Sequence, residues 1–374
     1  MPLEKPALPL PRQPWSDFGT VYAGNAFVAF LFSSSGPVAI ILSVGARGGL
    51  TESDLASWIF AVFFLNGLIT IAFSLLYRQP LAFFWTIPGT VLVGPALTHL
   101  TFPEVIGAFL ATGVLMLALA LTAVPRLARL APPLIVALIT GAIAIWWLGA
   151  FNPPAGTLFE VAKPNFYAPQ FSWQAMVELV VPLAITVLVV QNGQGIAILT
   201  ASGHRPPVNA ITFICGVGSL VTACFGAVST CLTGPSNAIL ASSGEKHRQY
   251  TAAIFLGILA LGFGLTAPFF TRLLLATPPA FIATLAGLAM LRVLQTSFQI
   301  SFRDKFSFGA LICFVITVAD VPIFRIGAPF WGLVFGIAAS RLLERDDFMR
   351  NADRPARASW GRFESSGIPK SVEA

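Results

Sequence analysis

Apolar runs about as long as a membrane-crossing helix follow one another from Val21 to Leu343, with only short interruptions. A helix needs about 20 such residues to cross hydrocarbon. Runs of this kind lie near 21–44, 54–77, 102–124, 131–150, 175–200, 207–228, 249–271, 278–299, 303–319 and 321–343. Two shorter segments, 80–98 and 229–242, are each broken near the middle. The expected total is about twelve membrane segments. Only 10% of the residues are charged and 56% are hydrophobic, whereas soluble domains carry about 25% charged residues. In water such a chain would expose aggregating apolar patches, so its solvent is lipid. The run that starts at Val21 is too long for a signal-peptide core, and no cleavage site is evident.

Several function classes drop out. Cys215, Cys224, Cys231 and Cys313 lie in apolar segments, without CxxC spacing or nearby histidines. They read as packing residues and not as disulfides or metal ligands. No Ser-His-Asp, metal or phosphate-loop pattern is visible, so no catalytic residue, metal or cofactor is expected. The net charge of +6 sits in short connections and the C-terminal tail, which argues for membrane topology and not for nucleic acid. With the N-terminus inside, the inner loops hold Arg78, Arg126, Arg129, Arg205, Lys246, Arg248, Arg303 and Lys305, against Arg47, Lys163, Arg272 and Arg325 outside. That bias places both termini in the cytoplasm.

The chain also repeats itself. PRLARLAPPLIVALITG (125–141) matches TRLLLATPPAFIATLAG (271–287), with Arg126 over Arg272 and Gly141 over Gly287. Upstream, FWTIPGTVLVG (84–94) falls on CLTGPSNAILA (231–241), with Pro88 over Pro235 at an offset of 147 (235 − 88). An odd number of crossings between equivalents makes the halves inverted. Inverted repeats with Gly/Pro-interrupted segments in matching places point to a transporter's binding site. Irregular backbone cannot face lipid, so it must line a cavity. A helix restarting after Pro88 or Pro235 begins with amides that lack an intrahelical partner and with a partial positive charge. Two such ends facing inward form an anion site with no basic side chain. Gly89, Thr90, Gly234, Ser236 and Asn237 are the candidates there.

Two further polar clusters lie within apolar spans. FSSSGPVAII contains Ser33, Ser34, Ser35 and Gly36, and VVQNGQGIAIL contains Gln191, Asn192 and Gln194. They align at an offset near 158. Polar groups in spans often only join helices, but three amide side chains within four residues exceed that need; Ser34, Ser35, Gly36, Gln191, Asn192 and Gln194 are the candidates to line the cavity and bind the substrate. Trp85, beside the first break, is a candidate to stack on an aromatic ligand or to pack. Glu104 and Glu178 stand near span ends and are the candidates for carrying a proton, with an interfacial role as the plainer reading.

QNGQG, LASWIFAV (55–62), YRQPLAFFWTIPG (77–89), TLAGLAMLRVLQTSF (284–298) and IGAPFWGLVFG (326–336) resemble the BenE-type benzoate:proton symporters, over about residues 17–343. That family is distantly similar to nucleobase/ascorbate and sulfate/bicarbonate transporters. The resemblance implies an all-α, polytopic inverted-repeat transporter with a core and a gate domain and two half-helices meeting in the core. Nucleobase carriers place a glutamate at the second half-helix; here the stretch is GPSNAIL, which suits a carboxylate.

The expected organisation is an N-terminal tail (1–20), core (21–124), gate (125–150), extracytoplasmic linker (151–174), second core repeat (175–271), second gate repeat (272–343) and a disordered tail (344–374). The expected function is import of a benzoate-like monocarboxylate with a proton across the bacterial cytoplasmic membrane, by alternating access. An inorganic-anion carrier or an uncoupled anion channel on the same scaffold is the alternative. Its partners would be that small anion, a proton and the lipid bilayer; a homo-oligomer is compatible with the sequence.

Overall fold

The computed structural model describes residues 3–7, 17–122, 160–278, 305–319 and 328–345, with single positions and pairs between 282 and 347. The expected first gate segment, most of the span near 278–299, and the tail beyond 347 lie outside the described residues.

Four described helical stretches are long and apolar enough to cross hydrocarbon: Thr20–Arg47, Glu52–Tyr77, Trp173–Ala201 and Lys246–Leu265. The first is expected to be one span, but it is two helices. α1 (Thr20–Ser34) and α2 (Gly36–Arg47) meet at Ser35, whose ψ of −101° leaves the helical region. Pro37, just inside α2, has no N–H to give back to the preceding turn. α3 (Glu52–Tyr77) follows, then β1 (Phe83–Trp85), α4 (Ile87–Ala96) and α5 (Phe102–Thr122). In the second half come α6 (Trp173–Ala201), α7 (Val208–Ala223), β2 (Thr230–Leu232) and α8 (Gly234–Ala241). α9 (Tyr250–Leu265), α10 (Ala267–Leu275), α11 (Ser307–Ala319) and α12 (Ala328–Leu343) complete the described elements.

The two interrupted segments are not helix on both sides of the break. Each opens as a short strand, and β1 pairs with β2 antiparallel. Phe83, Phe84 and Trp85 face Leu232, Cys231 and Thr230. Thr86 N donates to Ser229 O and Thr233 N donates to Ala82 O, each at 3.1 Å. The 147-residue offset relates Thr86 to Thr233 and Ala82 to Ser229, so these two bonds are equivalents of each other. Phe84 faces its own equivalent, Cys231. A two-fold axis therefore passes through that pair, which is what inversion of the halves requires.

Both strands are wholly buried, and their outer edges would strand backbone polar groups. Side chains from the surrounding helices meet them instead. Thr70 Oγ1 accepts from Phe83 N (2.9 Å) and donates to Phe83 O (3.2 Å). Ser74 bonds Leu81 N and O in the same way, both at 3.2 Å. On the other edge Ser219 Oγ accepts from Thr230 N (3.0 Å) and Asn192 Oδ1 from Leu232 N (2.8 Å). Small residues let the helices approach this centre: a Cβ on Gly67 of α3 would lie 3.0 Å from the carbonyl of Gly257 on α9.

The half-helices run outward from the ribbon. Ten residues of α4 rise about 15 Å, half the hydrocarbon thickness. At one end of the bundle, Arg272 bonds Glu52 (2.5 Å) and Glu160 (2.8 Å). At the other, Tyr250 Oη donates to Asp17 (2.7 Å), Lys246 to Gly203 O, and Gln79 to Arg205 O (2.8 Å). These groupings match the loop sides assigned from charge. Within the expected linker, Asn165, Tyr167 and Gln170 donate backbone N–H groups to Ser57 Oγ, Cys224 O and Pro103 O. The segment lies as a strap over the ends of three helices.

Thr70→Val keeps shape and removes both bonds to Phe83. It should cost on the order of 1–3 kcal/mol, read as a lower melting temperature in detergent; an unchanged value would contradict the edge-plug account. His204, in the turn after α6, is buried and bonded through Nε2 to Gln249 Oε1 at 2.7 Å. Burial pushes its pKa below the ordinary value. The unfolded chain then binds a proton near pH 6.5 that the folded one resists, so stability is present above that pH and falls below it. His204→Gln should flatten the acid side of a melting-temperature-against-pH curve; an unaltered acid limb would remove His204 as a source.

Candidate functional site

The N-termini of α4 and α8 meet the ribbon from opposite sides, and their amides are not equally available. On α4, Thr86 is the N-cap and its Oγ1 accepts from Gly89 N at 3.1 Å. Pro88 contributes no N–H, and Thr90 N already donates to Thr86 O. Only Ile87 N is left without a partner among the described residues. On α8 the N-cap Thr233 makes no side-chain bond to the helix. Pro235 has no N–H and Asn237 N donates to Thr233 O. Gly234 N and Ser236 N, both on buried residues, therefore lack partners among the described residues. With the helix partial charge behind them, these amides make the start of α8 the more open of the two half-helix ends.

Side chains from two other elements, α1 and α6, converge here. Ser33 Oγ on α1 lies 3.2 Å from Ser236 Oγ and donates to Ala29 O. The amide of Gln194 on α6 packs on Gly234, where an added Cβ would sit 2.4 Å from Gln194 Oε1. Thr86 Oγ1 donates to Thr186 Oγ1 of α6 at 3.3 Å. α6 thus touches both half-helices. Thr186 opens a π-helical stretch, Thr186–Asn192, and Gln194 lies two residues beyond its end; such stretches are frequent at functional sites. At the 158-residue offset Gly193, the residue that follows that stretch, is equivalent to Ser35, where α1 breaks from α2.

The sequence candidates sort by what their side chains touch. Ser236, Gly234 and Gln194 stand together at the start of α8. Gln191 is buried and makes no side-chain hydrogen bond among the described residues. Asn192 uses its Oδ1 on Leu232 N, while its Nδ2 is buried without a partner. Asn237 is engaged with backbone: Oδ1 accepts from Ala82 N (3.0 Å), and Nδ2 donates to Thr233 O (2.5 Å) and Ala82 O (3.3 Å). Thr90 Oγ1 donates to Thr86 O. Ser34 and Ser35 turn back onto Phe30 O and Phe32 O of their own helix, and Gly36 opens α2. Gly89 is closed in by the methyl of its own cap and by Leu183. Trp85 packs on Phe63 with ring centroids 5.3 Å apart, and its buried Nε1 has no partner.

The two acids part company. Glu104 accepts from Thr101 N and Oγ1, both at 2.8 Å, and so caps the start of α5 away from the ribbon. Glu178 is buried on α6 and bonds His99 Nε2 at 2.9 Å. Sequence reasoning picks Ser34 and Ser35 and leaves out Ser33, whereas Ser33 is the serine that meets Ser236; three adjacent serines look alike until the helix phase is known. Thr86 carried a usable signal, since a threonine two residues before Pro is an N-cap pattern. Thr186 carried none.

Paired half-helices on a two-fold-related ribbon, inside a shell of apolar helices, define an inverted-repeat membrane transporter with broken helices at its centre. The family model "BenE: Benzoate membrane transport protein" matches residues 16–143 and 122–342, and the chain belongs to that family, one of membrane transporters and not of enzymes. It is 27% identical over 368 residues to inner membrane protein YdcO of Escherichia coli, covering 85% of this chain and 94% of that protein. It is 26% identical over 385 residues to the benzoate membrane transport protein of Acinetobacter baylyi, covering 89% and 96%. Its fold resembles the murine Slc26a9 anion transporter in the inward-facing state, with a TM-score of 0.58, 12% identity, and 90% of this chain and 71% of that chain covered.

Gly234→Ala forces a methyl group against the Gln194 amide. Overpacking of this kind costs about 1–3 kcal/mol, so affinity for the transported anion should fall about tenfold with the protein still monodisperse. Unchanged affinity would separate the α6–α8 contact from binding.

Proposed function

We propose that the protein imports a benzoate-like aromatic monocarboxylate together with a proton, by alternating access. One observation carries the reading: α8 begins with two amides on buried residues, Gly234 N and Ser236 N, that have no partner among the described residues, and the half-helix GPSNAILA contains no acid. The carboxylate is bound by those amides and by the hydroxyl of Ser236, which turns to it from Ser33 Oγ while Ser33 stays on Ala29 O. Gln191 and Gln194 line the same place, and Ile87 N closes it from α4. Apolar walls hold the ring. The membership in the benzoate membrane transport family and the benzoate transporter of A. baylyi support the choice of substrate. The core is 21–124 with 175–271 and the gate 125–150 with 272–343, rocking against each other. Both termini lie in the cytoplasm, as the loop charges require.

Purified protein in proteoliposomes should accumulate labelled benzoate under an inward proton gradient, with competition by aromatic carboxylates and not by sulfate, bicarbonate or urate. Competition by the inorganic anions would mark an inorganic-anion carrier. Large currents without a pH gradient would mark a channel. Ser236→Glu places a like charge against the carboxylate, which costs several kcal/mol. It should weaken benzoate binding by at least about tenfold; unaltered affinity would put the anion elsewhere.

A further inference from the structure

The Glu178–His99 pair is used by nothing described so far. Glu178 is 6% exposed and sits in a second π-helical stretch of α6, Met176–Val180. Its Oε2 lies 2.9 Å from His99 Nε2, while the His99 side chain is 32% exposed. His99 follows α4 directly: its N donates to Ala96 O (3.1 Å), and its Nδ1 lies 3.3 Å from Thr98 Oγ1. The pair therefore ties the outer end of one half-helix to the helix that also carries Gln191 and Gln194.

α4, α5 and α12 pack against this turn of α6. Their charged or titratable groups are His99 beyond α4, Glu104 on α5, already held by Thr101, and Arg341 near the C-terminus of α12. An ionised carboxylate beside a neutral imidazole leaves one negative charge with little water around it, which is costly. One added proton makes the pair neutral overall, whichever atom carries it. The exposed edge of His99 gives that proton a route to water, and Glu178 is screened from it.

On the proton-coupled reading proposed above, we infer that the co-transported proton is held by the Glu178–His99 pair, about 20 Å along α6 from Gln191. Substrate and proton then occupy separate sites joined by α4 and α6. Binding the proton changes the charge at the point where the outer end of α4, α6 and α12 meet. No other bond is made or broken.

The test uses Glu178→Gln and His99→Gln in proteoliposomes, each measured two ways: labelled benzoate uptake driven by a pH gradient, and benzoate–benzoate exchange at equal pH. Both variants should keep exchange and lose gradient-driven uptake by at least about tenfold, within the range of site-to-site coupling. If wild type responds to the gradient and both variants respond equally, the pair is not the proton site although symport stands. If wild type itself ignores the gradient, symport fails and the pair with it. Should Glu178→Gln lose exchange too, His99→Gln decides by the same split. Loss of exchange in both variants would make the pair structural and overturn the assignment.

Discussion

Everything in the centre of this molecule answers one constraint: hydrocarbon offers no partner to a backbone N–H or C=O. A chain that leaves the helix at that depth must find its hydrogen bonds locally. Here the interrupted segments find half of them in each other, as β1 and β2. Thr70, Ser74, Ser219 and Asn192 supply others along the outer edges. Asn237 does the same for Ala82. The polar residues scattered through apparently uniform apolar spans are therefore mostly scaffold. They allow an irregular backbone to exist where water does not reach.

The two-fold at Phe84–Cys231 makes the halves alike in backbone, and the side chains then make them differ. Thr86 closes Gly89 N on α4, whereas Thr233 leaves the start of α8 open. Asn237 grips Ala82 just before the opposite strand, while its equivalent, Thr90, reaches only the cap of its own helix. Ser229 Oγ is left buried without a partner. On the proposed function, a symmetric frame with one end capped and one end open gives a single preferred anion site. A carrier with two equal sites would have to fill or empty both to change state.

Much of this was legible in the residues. Proline and glycine at matched repeat positions located both breaks, because Pro removes a backbone donor and favours the first turn of a helix. The inversion followed from counting crossings. The strands were not legible: three-residue stretches such as FFW and TCL are too short for any periodicity to speak. The roles of Ser33 against Ser34 and Ser35, and of Asn192 against Gln191 and Gln194, depended on helix phase. The break at Ser35 and the π-helical stretch Thr186–Asn192 reset that phase at those very residues. The Glu178–His99 contact joins residues 79 positions apart, a pairing that a single sequence cannot show.

A cryo-EM structure with benzoate bound in a lipid nanodisc tests the central claim most directly. The account predicts the carboxylate within about 3 Å of Gly234 N and Ser236 N, at the open end of α8 beside the β1–β2 ribbon. Benzoate held elsewhere, or residues 86–92 and 233–239 drawn as continuous helix facing lipid, would contradict it.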